Sequence, residues 1–161
     1  MNIDTLARNI LNTYWDLSIP IDVHQIAKNM EVEVQEVSHI GTSVDNISGS
    51  FEIINNRPVC TIRTSDAFVR QRFTLAHELG HYVLNHGKAF RDNDAVFSGR
   101  YNYDYREVEA NTFAAALLMP ADAVHEAIVN IPHLTIGQLA DIFNVSHTAM
   151  GYRLTNLGYN L

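Results

Sequence analysis

Residues 77–81 form a His-Glu-x-x-His motif whose reactive side chains are His77, Glu78 and His81. Positions four apart on a helix rise about 6 Å and turn about 40° past a full circle, so both imidazoles leave the same face and can converge on one ion. Glu78 lies one position further round, where it can take a proton from a metal-bound water. The spacing therefore predicts a helix that binds Zn²⁺ through both histidines and uses Glu78 as a general base.

The two histidines leave this predicted site one ligand short, because a catalytic zinc usually has three protein ligands and a water. Glu107 and Glu109 are the candidates, and since they lie about 200° apart on a helix, only one can face the metal. Glu107 shares its face with Ala110 and Asn111, which offer a small surface and an amide able to hydrogen-bond a ligating histidine. This favours Glu107, and Glu109 stays the alternative metal ligand. Either could instead be an ordinary solvated residue near a helix N-terminus.

Composition restricts the class of protein. A chain of 161 residues with 47% hydrophobic content predicts a single domain, 1–161, with a catalytic core at 1–120 and a helical C-terminal subdomain at 121–161. The one cysteine, Cys60, cannot form an internal disulfide, which favours the cytoplasm. No apolar run is long enough to cross a bilayer, so no membrane association is expected. The net charge of −7 argues against a general affinity for nucleic acid.

Hydrophobic periodicity predicts the elements that position these residues, which makes the fold class α+β. Helices are expected over 3–15, 23–30, 68–84 and 105–119, and strands over 31–37, 47–54 and 59–62. The turn residues 55–58 predict a hairpin between the second and third strands. The three strands together predict a small antiparallel sheet.

The motif lies on the predicted helix 68–84, which is apolar on nearly every side and should be buried. Gly80 costs this helix about 1 kcal/mol relative to alanine, which predicts the close approach of another backbone or of a ligand. The alanine-rich helix 105–119 is its expected neighbour. In or just after the polar stretch 87–104, Tyr101, Tyr103 and Tyr105 are possible oxyanion donors, and the sequence does not choose among them.

The C-terminal residues 121–161 predict three short helices, broken at 130–132 and 144–146. The last two have the spacing of a helix-turn-helix, which makes a DNA-binding regulator the main rival class. From Ile131 onward, however, Arg153 is the only arginine or lysine, too few cations for a phosphate footprint. We interpret this segment as a packing or partner-docking element and do not expect DNA binding.

Two blocks of this chain, 72–81 and 107–120, resemble the ImmA/IrrE zinc metallopeptidases. The second block reads Glu-Val-Glu-Ala-Asn-Thr-Phe-Ala-Ala-Ala-Leu-Leu-Met-Pro. The likeness extends to 20–27, to Ser48-Gly49 and to 143–154, and so covers almost the whole chain.

The resemblance implies a zincin-like helical core of the gluzincin type. It implies that Zn²⁺ is bound by His77, His81 and Glu107, with Glu78 as the base and Asn111 supporting a ligand. The family often has a histidine directly after the leucine downstream of the motif. Here Asn85 comes before His86, so no role is assigned to His86.

The resemblance also implies the reaction and the partner. Family members typically cleave a helix-turn-helix transcriptional repressor, so this chain is expected to be a zinc-dependent endopeptidase acting on a protein substrate and relieving repression. The alternative is a non-cleaving regulatory or DNA-binding helix-turn-helix protein whose zinc is structural.

Overall fold

The computed structural model describes residues 2–40, 48–86 and 105–159. In chain order the elements are α1 (Ile3–Tyr14), α2 (Val23–Asn29), β1 (Glu33–Val37), β2 (Gly49–Ile54), β3 (Arg57–Arg63), α3 (Phe68–Val83), α4 (Tyr105–Leu118), α5 (Ala121–Asn130), α6 (Ile136–Phe143) and α7 (His147–Asn156). The α+β class and all the predicted helices and strands are confirmed. No single helix in these ranges is long and apolar enough to span a membrane, although α4 and α5 meet that requirement as a pair bent by 46°.

The sheet is mixed, so the prediction of an antiparallel sheet is wrong for one of its two strand pairs. The order is β1-β3-β2. β2 and β3 form the predicted antiparallel hairpin, with Ile54 opposite Arg57, but β1 runs parallel to β3. The hairpin occupies one edge of β3 and leaves the other for β1. Val37 at the end of β1 pairs with Arg63, and Gly49 at the start of β2 pairs with Ile62, so β1 ends and β2 begins at the same end of β3.

Helix ends form at the predicted caps. Asp22 precedes α2, and its side chain accepts a hydrogen bond from the backbone N–H of Gln25 at 3.0 Å. Ser146 precedes α7 and accepts from the N–H of Ala149 at 3.1 Å. Between α6 and α7, Asn144 adopts the left-handed conformation with φ of 51°, which ends α6. Each cap satisfies a backbone group that the helix itself leaves without a partner.

Helices α3 and α4 pack closely where a glycine permits it. A Cβ at Gly80 would lie 3.2 Å from both the Cα and the carbonyl oxygen of Ala110, closer than most side chains approach a backbone. Phe113 and Leu79, both fully buried, fill the core next to this contact. The predicted close approach at Gly80 is therefore confirmed, and it brings the motif helix against α4.

Two buried arginines connect the C-terminal helices to the rest of the core. Arg72, on α3, donates from Nε to the carbonyl oxygen of Asn144 at 3.1 Å. Arg153, on α7, donates to the carbonyl oxygen of Met119 at 2.9 Å and pairs with Asp4 at 2.8 Å. Burial lowers the pKa of Arg72, although the charge of Asp22 opposes this. The ends of α3 and α4 are thus fixed against α6 and α7.

Candidate metal centre

Three side chains on α3 and α4 point at one another across the helix interface. The Nε2 atoms of His77 and His81 are 2.9 Å apart. The two carboxylate oxygens of Glu107 lie 3.2 Å from them, Oε2 from His77 and Oε1 from His81. Both imidazoles are largely buried, whereas the Glu107 side chain is 48% exposed, so this cluster is open to solvent on the side of α4.

This donor set fits a zinc ion. Ligand atoms about 2.1 Å from a tetrahedral zinc lie about 3.4 Å apart, close to the separations among these nitrogens and oxygens. In the described ranges, His77, His81 and Glu107 are the group whose donor atoms lie within 4.8 Å of one another and could hold a metal ion. Two imidazoles and one carboxylate leave the fourth position for water or substrate, as a catalytic site requires.

The electrostatics of the cluster favour a positive charge at its centre. Burial opposes protonation of His77, but a hydrogen bond donated to Glu107 and the charges of Glu78 and Glu107 outweigh it and raise the pKa of His77. Hydrogen bonds to His77 and His81 hold the pKa of Glu107 well below its usual value, against partial desolvation. An arrangement that favours the positively charged form of an imidazole beside a carboxylate also suits a divalent cation there.

Glu78 lies beneath this cluster and is only 7% exposed. Burial raises the pKa of its carboxyl group, and the neighbouring histidines His77 and His81 reduce that rise. The first residue of β2 leaves room for it, since a Cβ at Gly49 would lie 2.9 Å from Oε1 of Glu78 and would also contact Thr74. Strand β2 therefore passes directly beside the candidate base.

Each histidine of the cluster has a partner on its second ring nitrogen. Nδ1 of His77 is 2.9 Å from the amide oxygen of Asn111 on α4. Nδ1 of His81 is 3.0 Å from Nδ1 of His86, whose Nε2 lies 3.1 Å from a carboxylate oxygen of Glu109. Such partners fix the tautomer and the orientation of a ligating imidazole. Glu109 thus contacts His86, while Glu107 is the glutamate that faces the histidine pair.

Sequence reasoning gave His86 no role, and the structure places it beside His81. In the family the histidine is often found directly after the leucine downstream of the motif, and in this chain that position is occupied by Asn85. Asn85 has φ of 54°, and asparagine is, after glycine, the residue that most readily adopts this left-handed conformation at a helix end. That preference is the sequence signal that could have located His86.

The three candidate oxyanion donors gain no support from the geometry. Tyr101 and Tyr103 lie outside the described residues. Tyr105 is the first residue of α4, is 69% exposed, and lies about 200° round that helix from Glu107. An oxyanion role for any of these tyrosines stays a prediction.

A histidine pair, a buried glutamate and a carboxylate from a second helix together define a candidate metallohydrolase. Residues 24–155 match the peptidase family M78, described as the IrrE N-terminal-like domain. Because the match covers most of the chain, the protein belongs to this family.

Two curated relatives are metallopeptidases by name. The chain is 31% identical over 97 residues to metallopeptidase ImmA of Bacillus subtilis (strain 168), a match covering 60% of this chain and 56% of that protein. It is 32% identical over 110 residues to the radiation response metalloprotease IrrE of Deinococcus radiodurans, covering 66% of this chain and 33% of that protein. The matches thus span between a third and just over half of these relatives' lengths.

A solved structure shares the fold. A Mycobacterium tuberculosis transcriptional regulator superposes with a TM-score of 0.64, covering 95% of this chain and 46% of that chain at 16% identity. At this identity the likeness shows the fold alone.

Proposed function

We propose that this chain is a zinc-dependent endopeptidase domain of the gluzincin type with a zincin-like core. The observation that carries the proposal is the convergence of His77, His81 and Glu107 within 3.2 Å, with Glu78 buried beside them. His77, His81 and Glu107 would bind Zn²⁺. When bound, zinc supplies a water of lowered pKa and polarises the carbonyl of the scissile peptide.

The chain's own residues would transfer the proton and orient the metal ligands. Glu78, held against β2, would accept a proton from the attacking water and then deliver it to the leaving amine. Its raised pKa brings the carboxyl closer to the range in which one group can do both. Asn111 would accept from Nδ1–H of His77 and so keep the Nε2 lone pair of that ring directed at the metal.

Strand β2 is the element on which an extended substrate would lie. It is an edge strand within the described sheet, since its partner there is β3, and it begins at Gly49 beside Glu78. An extended peptide added to a free edge gains main-chain hydrogen bonds without side-chain specificity. This arrangement would bring a scissile bond to the base.

For the substrate we propose a helix-turn-helix transcriptional repressor, whose cleavage would relieve repression. The relatives are named a metallopeptidase and a radiation response metalloprotease, which agrees with a protein substrate and a regulatory setting. The net charge of −7 suits a partner with basic patches, as DNA-binding repressors have. The expected place of action is the cytoplasm, and the C-terminal helices 121–161 would serve as a subdomain of this single domain.

Metal content tests the ligand set first. We expect one zinc per chain by elemental analysis of the wild type, loss of zinc in His77→Ala and Glu107→Ala, and near-stoichiometric zinc in Glu109→Ala at saturating metal. Glu109→Ala tests the alternative ligand, because it removes a carboxylate from the same helix two residues away. A wild type that holds no zinc after metal reconstitution would overturn the proposal.

Cleavage tests the base. Purified helix-turn-helix repressors of the same organism would be incubated with the zinc-loaded protein and examined by intact mass spectrometry. We expect one of them to be cut, and Glu78→Gln to slow the cut by about 10²- to 10⁴-fold, because the amide keeps the size of the side chain but cannot accept the proton. Undiminished cleavage by Glu78→Gln would refute the mechanism.

The second candidate is a regulator that keeps a structural zinc and does not cut. The half-exposed Glu107 counts against it, since structural zinc sites are closed by four protein ligands. Zinc retention with every repressor left intact would favour this alternative. A DNA-binding role has less support, because Arg153 is 3% exposed and its donors face Met119 and Asp4.

A further inference from the structure

We infer that His86 and Glu109 act as a two-residue relay that positions His81 for metal binding. The inference rests on the proposed zinc site and adds to it two positioning residues that do not touch the metal. It is carried by two contacts: 3.0 Å between Nδ1 of His81 and Nδ1 of His86, and 3.1 Å between Nε2 of His86 and Oε2 of Glu109. The His86 side chain is 8% exposed and the Glu109 side chain 22%, so solvent competes little for these bonds.

The turn that ends α3 places His86 over the metal-binding face. The N–H of His86 donates to the carbonyl of His81 at 2.9 Å, and the N–H of Asn85 donates to that of Tyr82 at 3.1 Å. These two bonds form a Schellman motif, which requires a left-handed residue after the helix cap, here Asn85 with φ of 54°. The chain therefore folds back by one turn, and the imidazole of His86 comes beside that of His81.

The direction of the hydrogen bonds along the relay follows from its last member. A carboxylate oxygen of Glu109 accepts and has no proton to give, so Nε2 of His86 must donate. In a neutral imidazole the other nitrogen then carries a lone pair, and Nδ1 of His86 accepts from Nδ1–H of His81. That leaves the lone pair of His81 on Nε2, the atom that faces His77 and Glu107.

The relay supplies Nδ1 of His81 with a hydrogen-bond acceptor, as Asn111 does for Nδ1 of His77. Nδ1 of His77 meets an oxygen acceptor directly at 2.9 Å, whereas Nδ1 of His81 reaches its carboxylate through one intervening ring. Both routes fix the same tautomer, with the proton on Nδ1 and the lone pair on Nε2. Losing such an outer partner typically weakens metal binding by about 10- to 100-fold.

The test is zinc affinity, measured by competition with a chromophoric chelator on the full chain, together with the visible absorption of the Co²⁺-substituted protein. We expect His86→Ala and Glu109→Ala to bind zinc about 10- to 100-fold more weakly and to change the Co²⁺ bands, because the orientation of the His81 ring is released. His86→Asn should recover much of the affinity, since its amide oxygen can take the place of Nδ1 as acceptor. The melting temperature of the zinc-free variants separates this effect from a loss of folding.

A matched pair at position 85 tests the turn without changing any relay side chain. Asn85→Gly keeps the left-handed conformation and should bind zinc like the wild type. Asn85→Val cannot easily adopt φ of 54° and should bind zinc more weakly.

Wild-type zinc affinity and unchanged Co²⁺ bands in folded His86→Ala would overturn the relay and leave the proposed peptidase standing. A His86→Asn variant that binds no better than His86→Ala would contradict the acceptor role of Nδ1. Absence of zinc binding in the wild type would overturn the proposed function together with the relay.

Discussion

The α3–α4 interface and the α6–α7 pair are both helix pairs that carry a functional motif in the sequence, but their polar side chains are used differently. At α3–α4, side chains some thirty residues apart in sequence meet at a common point, and their ring and carboxylate atoms remain available to an ion. At α6–α7 the polar groups bind the protein itself: Thr135 and Gln138 form a capping box, and Arg153 binds Met119 and Asp4. The side chains of a motif can bind an ion together only when folding leaves their ligand atoms facing one another rather than bonded to the backbone.

Zinc removal should distinguish the two regions most strongly. A ligand present at 100 times its dissociation constant stabilises the folded state by about 2.7 kcal/mol, so chelation should lower the unfolding free energy by that order. Hydrogen exchange followed by mass spectrometry should show faster exchange in peptides from α3 and α4, and little change in α6 and α7. Equal acceleration in all four helices would mean that the two regions are not independent.

Loss of Arg153 should lower the stability of the fold without weakening zinc binding. Arg153→Met removes the donor to the buried carbonyl of Met119, an unsatisfied group that costs about 1–3 kcal/mol, and it frees Asp4. The midpoint of chemical denaturation measures this loss. Zinc affinity should stay unchanged, and neither the wild type nor the variant should bind duplex DNA. Tyr152→Ala is the control, since this neighbouring side chain is 70% exposed. A drop in DNA binding without a drop in stability would restore the DNA-binding interpretation of this segment.

Gly49→Ala should displace the candidate base Glu78 without weakening zinc binding. The added methyl group would lie 2.9 Å from Oε1 of Glu78 and against Thr74, so Glu78 must shift. We expect cleavage of a repressor found by the cleavage assay to slow about tenfold, because small displacements of a catalytic group are costly, and we expect zinc affinity to be preserved. Ser50→Ala is the matched control on the same strand. Combining Gly49→Ala with Thr74→Ser, which removes the contacting methyl group, should recover part of the rate. No recovery would show that the contact of the added methyl group with Thr74 does not contribute to the loss.

Most of the fold could be predicted from the sequence because it depends on local patterns. Hydrophobic periodicity located the helices and strands, and Asp22 and Ser146 marked two helix starts. The direction of β1 could not be predicted, because it depends on pairing with β3, which follows later in the chain, and no local pattern encodes that pairing.

The candidate site likewise has a part that the sequence predicts and a part that it does not. The spacing within one helix, from His77 to His81, follows from helical geometry alone, and Glu107 followed from the face it shares with Asn111. The position of His86 depends on a three-dimensional turn, so a comparison at fixed spacing could not find it. The structure confirms neither the ligand roles nor the oxyanion donor, which stay predictions for the experiments above.

The two buried arginines have a consequence for how this sequence can vary. Arg72 and Arg153 both donate to backbone carbonyls, those of Asn144 and Met119. A backbone acceptor is present whatever side chain occupies the position, so the outward-facing residues of the C-terminal helices can be exchanged without loosening the attachment of α3 and α4. Recognition of a new partner could therefore be acquired at this end of the molecule by substitution alone, while the geometry of the histidine pair is inherited unchanged.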